Sequence, residues 1–157
     1  EAEKISETAL ELSSTISEII WALNSNNDYL ENMVAYIRRY AAEYFENSPV
    51  NLKITTSGEI LPTPINGEHR RNIFYTVKEA LNNIMKHAEA TEAELKFVVT
   101  DDKLDVIISD NGKGIPEGDL NRFGNGIKNM RARMKSIRGD FKIENHQGTR
   151  VFLKLAI

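Results

Sequence analysis

The chain has 157 residues, 41% hydrophobic and 27% charged, enough for one globular domain with a real core plus an appended element. Its 20 basic and 23 acidic residues leave a net charge of -3, too balanced for nucleic acid or an anionic membrane surface as the main partner. Without cysteine, disulfides, thiolate zinc sites and thiol catalysis are excluded; no apolar run approaches the roughly 18 residues of a membrane span, and no signal-peptide pattern opens the chain.

Ile5, Ala9, Leu12, Ile16, Ile19, Ile20 and Leu23 recur at threes and fours, which predicts a first helix of about five turns with a narrow apolar seam. Glu7, Glu11, Ser14 and Glu18 lie outside that seam, which calls either for a partner helix or for docking on the chain's own domain. Residues 1–5 already read as mid-helix, so a longer parent protein is expected. Residues 24–28, NSNND, read as a linker, with Asp28 and Glu31 expected to cap the next helix. There Leu30, Met33, Val34, Ile37, Ala41, Tyr44 and Phe45 form a broad stripe suited to a sheet, with Arg38 and Arg39 on the solvated side. Pro49 ends this helix, and residues 50–56 alternate as a strand.

Residues 57–67, with Pro62, Pro64 and two glycines, must form a loop, followed by a long helix over residues 68–89. Arg70 and Arg71 lie early in it, where basic residues oppose the helix dipole; this hints at an outside partner, although a solvated face is the preferred reading. At about 100° per residue, Ile73, Val77, Ala80, Leu81, Ile84 and Ala88 fall on one side, while Glu79, Asn83, Lys86 and His87 share a polar stripe. That stripe is either a solvated face or the equipment for a magnesium-bound polyphosphate. Magnesium takes oxygen ligands and keeps several waters, so one Asn oxygen directly and one Glu through water suffice, with Lys86 and His87 facing phosphates.

Residues 94–100 and 103–109 read as strands joined by a tight Asp101-Asp102 hairpin. The second delivers Asp110 to its end, where Gly112 and Gly114 allow a tight turn and close approach of a flat ring, and where a carboxylate can accept from an exocyclic amine such as that of adenine. Residues 116–122 form a short polar segment, and Gly124 and Gly126 open a helical pattern whose free N–H groups can meet phosphate oxygens. Ile127, Met130, Met134 and Ile137 mark its buried side, and Lys128, Arg131, Lys135 and Arg138 a basic stripe that is usually just solvated, Lys128 and Arg131 being nearest the proposed phosphates. Gly139 is expected to stop this helix. Residues 141–145 and 149–155 form a last hairpin with Val151, Leu153 and Leu155 inward and the Thr149 hydroxyl within reach of the ring or its water.

Glu79-x-x-x-Asn83-x-x-Lys86-His87-Ala88 resembles the N box, Asp110-x-Gly112-x-Gly114 the G1 box, Gly124-x-Gly126 the G2 box and Gly148-Thr149 the closing GT element of sensor histidine kinase ATP-binding domains, within the gyrase, chaperone, kinase and MutL superfamily. Each alone is weak, but four in the right order across about half the chain are specific; GxxxxGK[ST] is absent and no glycine fingerprint follows a first strand. The resemblance implies an α/β two-layer sandwich of Bergerat type, a mixed sheet of about five strands with helices on one face, plus a projecting N-terminal helix. It implies ATP and magnesium as cofactors, with Asn83 as metal ligand and Glu79 as a water-linked carboxylate that assists as base, these two being the catalytic pair. Lys86, His87 and Lys128 are implied to meet phosphates, and Asp110 to read the adenine amine. Gly112 and Gly114 would shape that pocket, Thr149 support it, and Gly124 and Gly126 hinge a brief ATP lid at residues 116–122, whose plainer reading is a surface loop.

ISEIIWALN, residues 16–24, looks like the end of the second helix of the dimerisation and phosphotransfer hairpin in the nitrate- and membrane-fluidity-sensor kinase group, although Ser25 stands where many relatives carry Pro. The resemblance thus implies residues 1–24 as a hairpin remnant, 25–28 as linker and 29–157 as the catalytic domain. Kinases of this family usually carry an acceptor histidine followed by an acidic residue. His69 is followed by Arg70, His87 by Ala88 and His146 by Gln147, so the acceptor is expected upstream of Glu1. Implied further are γ-phosphoryl transfer to a histidine on that hairpin, a response regulator as partner, and a homodimeric, membrane-anchored bacterial parent carrying this domain in the cytoplasm. An ATPase that drives a conformational change, or a nucleotide-binding or anti-sigma-type module, are the alternatives.

Overall fold

The computed structural model describes residues 1–116 and 125–157. The elements run α1 (Ala2–Leu23), a 3-10 turn (Ser25–Asn27), α2 (Leu30–Phe45), β1 (Asn51–Ser57), α3 (Gly67–Asn83), a π-helical turn (Ile84–Ala88), β2 (Glu92–Val99), β3 (Lys103–Asp110), α4 (Gly126–Ser136), β4 (Asp140–Asn145) and β5 (Thr149–Ala156). Because side chains alternate across a strand, Ala93, Leu95, Phe97 and Val99 on β2, Leu104, Val106 and Ile108 on β3, and Val151, Leu153 and Leu155 on β5 all point to one buried layer. The strand order is β1-β2-β3-β5-β4; β1 runs parallel to β2 and the other pairs are antiparallel. A parallel pair needs a long crossover, which α3 supplies, and α2, α3 and α4 close the core of this mixed five-stranded sandwich.

The start of α2 departs from the capping expectation. Tyr29 holds the N-cap position without a side-chain cap, and the orphan amide of Leu30 donates instead to the Thr63 carbonyl (2.8 Å), while Ile65 N–H returns to Asp28 O (3.1 Å). The loop before α3 thus does what the linker carboxylates were expected to do. Arg38 is half-buried and donates to Thr56 Oγ1, so only Arg39 keeps the solvated position expected of both. After α4 the left-handed residue is Arg138 (φ 58°); Gly139 follows it and donates to Met134 O (2.9 Å).

Helix α1 leaves Ile5, Leu12, Ile16, Ile19, Ile20 and Leu23 exposed and docks through its last turns by another face, burying Glu18, Trp21 and Ala22. The seam therefore remains uncovered by the chain's own domain. The agent of docking is Arg70, which is 1% exposed, not solvated. Its guanidinium donates to Trp21 O (2.6 Å), Ala22 O (3.1 Å), Asn24 O (3.2 Å) and Asp28 Oδ1 (3.1 Å), and lies over the Trp21 ring at 4.7 Å. The last carbonyls of a helix lack intrahelical donors and carry its negative dipole end, so Arg70, poorly placed for its own helix, is well placed for the neighbour. One and two turns along α3, Phe74 packs edge-on against Trp21 (5.1 Å) and Lys78 pairs with Glu18 (2.7 Å).

Candidate functional site

Asn66 caps α3 by accepting from His69 N–H (2.8 Å), which fixes where the helix starts and hence which residues its last turn presents. Ile73, Val77, Ala80, Leu81, Ile84 and Ala88 are buried as the periodicity requires. The helix then widens into the π-helical turn and stops where Glu89 adopts a left-handed conformation (φ 52°). Ala88 O accepts from Lys113 N–H (2.9 Å), and Gly112 sits so tightly against that carbonyl that a Cβ would collide with it. Asn111 fastens the other side, its side-chain oxygen accepting from the N–H groups of Thr91 and Glu92 (both 3.0 Å).

Asp110, at the end of β3, is 8% exposed. Its Oδ1 accepts from Gly112 N–H (2.8 Å) and Thr149 N–H (3.4 Å). Burial lifts the carboxyl above the ordinary aspartate value, and the two N–H donors pull against that rise. Gly148 (φ 129°) brings the β4–β5 turn against the Asp110 carbonyl, where no Cβ fits, so glycine here is what allows the last hairpin to close on the end of β3.

These contacts leave a narrow cleft between the end of α3 and the sheet. Ala80, Asn83, Ile84 and Ala88 form its helical wall; Ile108, Asp110, Gly114, Ile115, Ile143, Thr149 and Val151 face them. An apolar slot with one buried carboxylate and one amide can hold a planar heterocycle bearing an amine, and leaves Asn83 as an oxygen donor on the same wall. Asn83, Asp110, Gly114 and Thr149, drawn from separate segments, share this cleft, with Gly112 supporting its rim.

The remaining predicted site residues stand elsewhere. Glu79 is half-buried off the cleft wall, its carboxylate so close to Gly126 that a Cβ there would strike Oε1. Lys86 and His87 are exposed on the π-helical turn, whose wider i→i+5 winding breaks the single stripe expected of a uniform α-helix. Lys128 is exposed in the first turn of α4, and Arg131 lies over the Phe141 ring (5.2 Å). Gly124 and most of the lid segment, residues 117–122, fall outside the described residues.

Sequence reasoning missed Asn145, which brackets Ile115 by accepting from its N–H (2.8 Å) and donating Nδ2 to its carbonyl (2.6 Å). The only local signal was an amide side chain ending an alternating strand three residues before Gly148. It also missed the apolar wall of Ile115 and Ile143, which is contributed by two different segments.

Residues 68–157 match the family described as histidine kinase-, DNA gyrase B-, and HSP90-like ATPase. Sensor histidine kinase YvfT of Bacillus subtilis is 36% identical over 85 residues, 54% of this chain and 22% of that protein. Nitrate/nitrite sensor protein NarX of Escherichia coli is 28% identical over 119 residues, 74% of this chain and 19% of that protein. The chain thus spans about a fifth of the length of each of these relatives. The histidine kinase domain of the Erythrobacter litoralis blue-light activated histidine kinase shares the fold, with a TM-score of 0.61 at 22% identity over 78% of this chain and 60% of that one. With the matched region holding α3, the cleft and the whole sheet beyond β1, the chain belongs to the family of histidine kinase-, DNA gyrase B-, and HSP90-like ATPases, as an ATP-binding domain of the sensor histidine kinase kind.

Proposed function

We propose that this domain binds magnesium-ATP and delivers the γ-phosphoryl group to a histidine on a helix hairpin of its parent, the acceptor lying outside residues 1–157. The observation that carries the reading is the single cleft shared by Asn83, Asp110, Gly114 and Thr149. Asp110 accepts from the adenine amine while Ile84, Ile108, Ile115 and Val151 flank the ring, and Thr149 supports the carboxylate through its N–H. The donor set fits the metal nucleotide: a carboxamide oxygen on the cleft wall is a hard ligand that would hold the metal, and Glu79, packed against the opening turn of α4, would assist it through water and as base. When bound, magnesium neutralises phosphate charge, in a transfer that depends on positioning more than on covalent help. Lys86, His87, Lys128 and Gly126 would meet the phosphates from the cleft's outer side, and Gly124 is assigned the same role from its motif.

Residues 1–24 are proposed as the second hairpin helix, 25–28 as linker and 29–157 as the catalytic domain, in a homodimeric, membrane-anchored parent that serves a response regulator from the cytoplasm. The uncovered apolar seam of α1 supports a helical partner. No described helix is long and apolar enough to cross a membrane. Mixing the chain with a hairpin carrying an acceptor histidine and labelled ATP should give acid-labile phosphoprotein; steady ATP hydrolysis without transfer would instead favour the ATPase alternative.

Asp110 supplies a separate test. Because its folded pKa is raised, its contribution to stability is present below the ordinary aspartate value and is lost as pH rises through the folded value. Asp110→Asn should therefore melt higher than the parent at neutral pH and flatten that part of the pH–stability curve. The same substitution should weaken ATP binding and its preference over GTP, an exchange of stability for function. A variant no more stable at pH 7, with ATP still preferred, would contradict both roles.

A further inference from the structure

We infer that Asn145 is a positioning residue for the purine ring, setting the width of the cleft by holding Ile115; this rests on the nucleotide reading above. The segment leaving β3 has no strand partner between Gly112 and Pro116, yet its backbone lines the cleft through Gly114 and Ile115. It is stapled at two points. On the helix side Lys113 N–H reaches Ala88 O (2.9 Å), and on the hairpin side the Asn145 amide meets both polar groups of Ile115, with N–H to Oδ1 at 2.8 Å and Nδ2 to carbonyl at 2.6 Å.

A carboxamide matches a peptide group in both donor and acceptor, so no other side chain of similar length satisfies both ends at once except glutamine, which is one methylene longer. Gly114 (φ 72°) is packed onto the same amide, where an added Cβ would stand 2.9 Å from Asn145 Oδ1. Ile115 is thereby kept 8% exposed in the cleft wall, next to Ile143 from Asn145's own strand. Asn145 touches neither Asp110 nor Asn83 through any of these bonds; it acts through the Ile115 backbone on the apolar slot between them.

The effect should fall on the ring half of the ligand. Asn145→Ala should weaken adenosine, ADP and ATP by the same factor, about tenfold, and leave the gain in ATP affinity on adding magnesium unchanged. Asn145→Asp, of the same shape but with a carboxylate turned to the Ile115 carbonyl, should lose more, and Asn145→Ser, which keeps an acceptor, less. Leu104→Ala, in the sheet core outside the cleft, is the control for stability loss alone. Calorimetry on the full chain at a temperature well below each melting midpoint gives the readout. Equal affinity of Asn145→Ala and the parent for ADP, a loss confined to ATP, or an equal loss in Leu104→Ala would overturn the inference. Failure of the parent to bind any adenine nucleotide would overturn the nucleotide reading itself. Should Asn145→Ala not fold, the Asn145→Ser and Asn145→Asp pair decides, since their order is fixed by hydrogen-bond chemistry; Asn145→Asp binding as well as Asn145→Ser overturns the inference.

Discussion

Asn83→Ala should abolish the magnesium-dependent part of ATP affinity, a loss of roughly ten- to a hundredfold, or about 1.5 to 3 kcal/mol. The side chain is half-buried at the C-terminal end of α3 and lines the cleft that also holds Asp110. Its carboxamide oxygen is a neutral hard ligand, so removing it takes away metal ligation without removing any apolar wall from the ring slot. In EDTA, parent and variant should bind ATP alike; on adding magnesium the parent should tighten and the variant should not. Asn83→Asp keeps an oxygen at the same place and should retain the metal response. An Asn83→Ala protein that gains as much from magnesium as the parent would show the ligand assignment to be wrong.

The second large effect concerns stability. Arg70→Ala should cost about 1.5 to 3 kcal/mol, because it removes a buried guanidinium that makes charge-assisted hydrogen bonds to the half-buried Asp28 carboxylate and to three carbonyls at the end of α1. Asp28 loses its guanidinium partner, and Trp21 O, Ala22 O and Asn24 O lose donors in a half-dry interface. For a chain of this size the melting midpoint should fall on the order of 10 °C. Amide exchange over the last turns of α1 should accelerate more than exchange in the sheet, whose ladder of β1 to β5 does not include Arg70. Arg70→Lys should recover little, since one ammonium cannot reproduce a planar fork that serves four acceptors. ATP affinity should survive, because Arg70 and Asn83 are about 20 Å apart along the helix axis. An unchanged midpoint would mean that α1 is held by the aromatic contacts of Trp21 with Tyr36 and Phe74 and by the Glu18–Lys78 pair without help from Arg70.

Local pattern was sufficient for most of the scaffold and for part of the site. Alternation in β2, β3 and β5 and the 3.6-residue stripes of α2, α3 and α4 identify their buried faces, because burial of one face is the dominant local constraint on side-chain choice. The order of the polar and glycine-bearing segments was enough to group Asn83, Asp110, Gly114 and Thr149, which the tertiary structure brings to one cleft. Charge placement was less legible. Arg70 reads as a misplaced surface cation until the carbonyls of residues 48 or more positions earlier are brought to it, since a sequence shows a side chain's charge but not the unpaired dipoles of a distant helix end.

The same holds within the site. Sequence alone determined that residues 79–88 would offer a carboxylate, an amide and two basic groups; only the folded chain decided that Asn83 faces the cleft, that Glu79 turns to α4, and that the π-helical turn carries Lys86 and His87 outward. Periodicity assumes uniform winding, whereas the winding of α3 after residue 83 changes where it meets the segment stapled between Ala88 and Asn145. Asn145 owes its place to a backbone 30 residues away, with no complementary side chain to betray it, so its partner exists only once the β4–β5 hairpin has closed on β3.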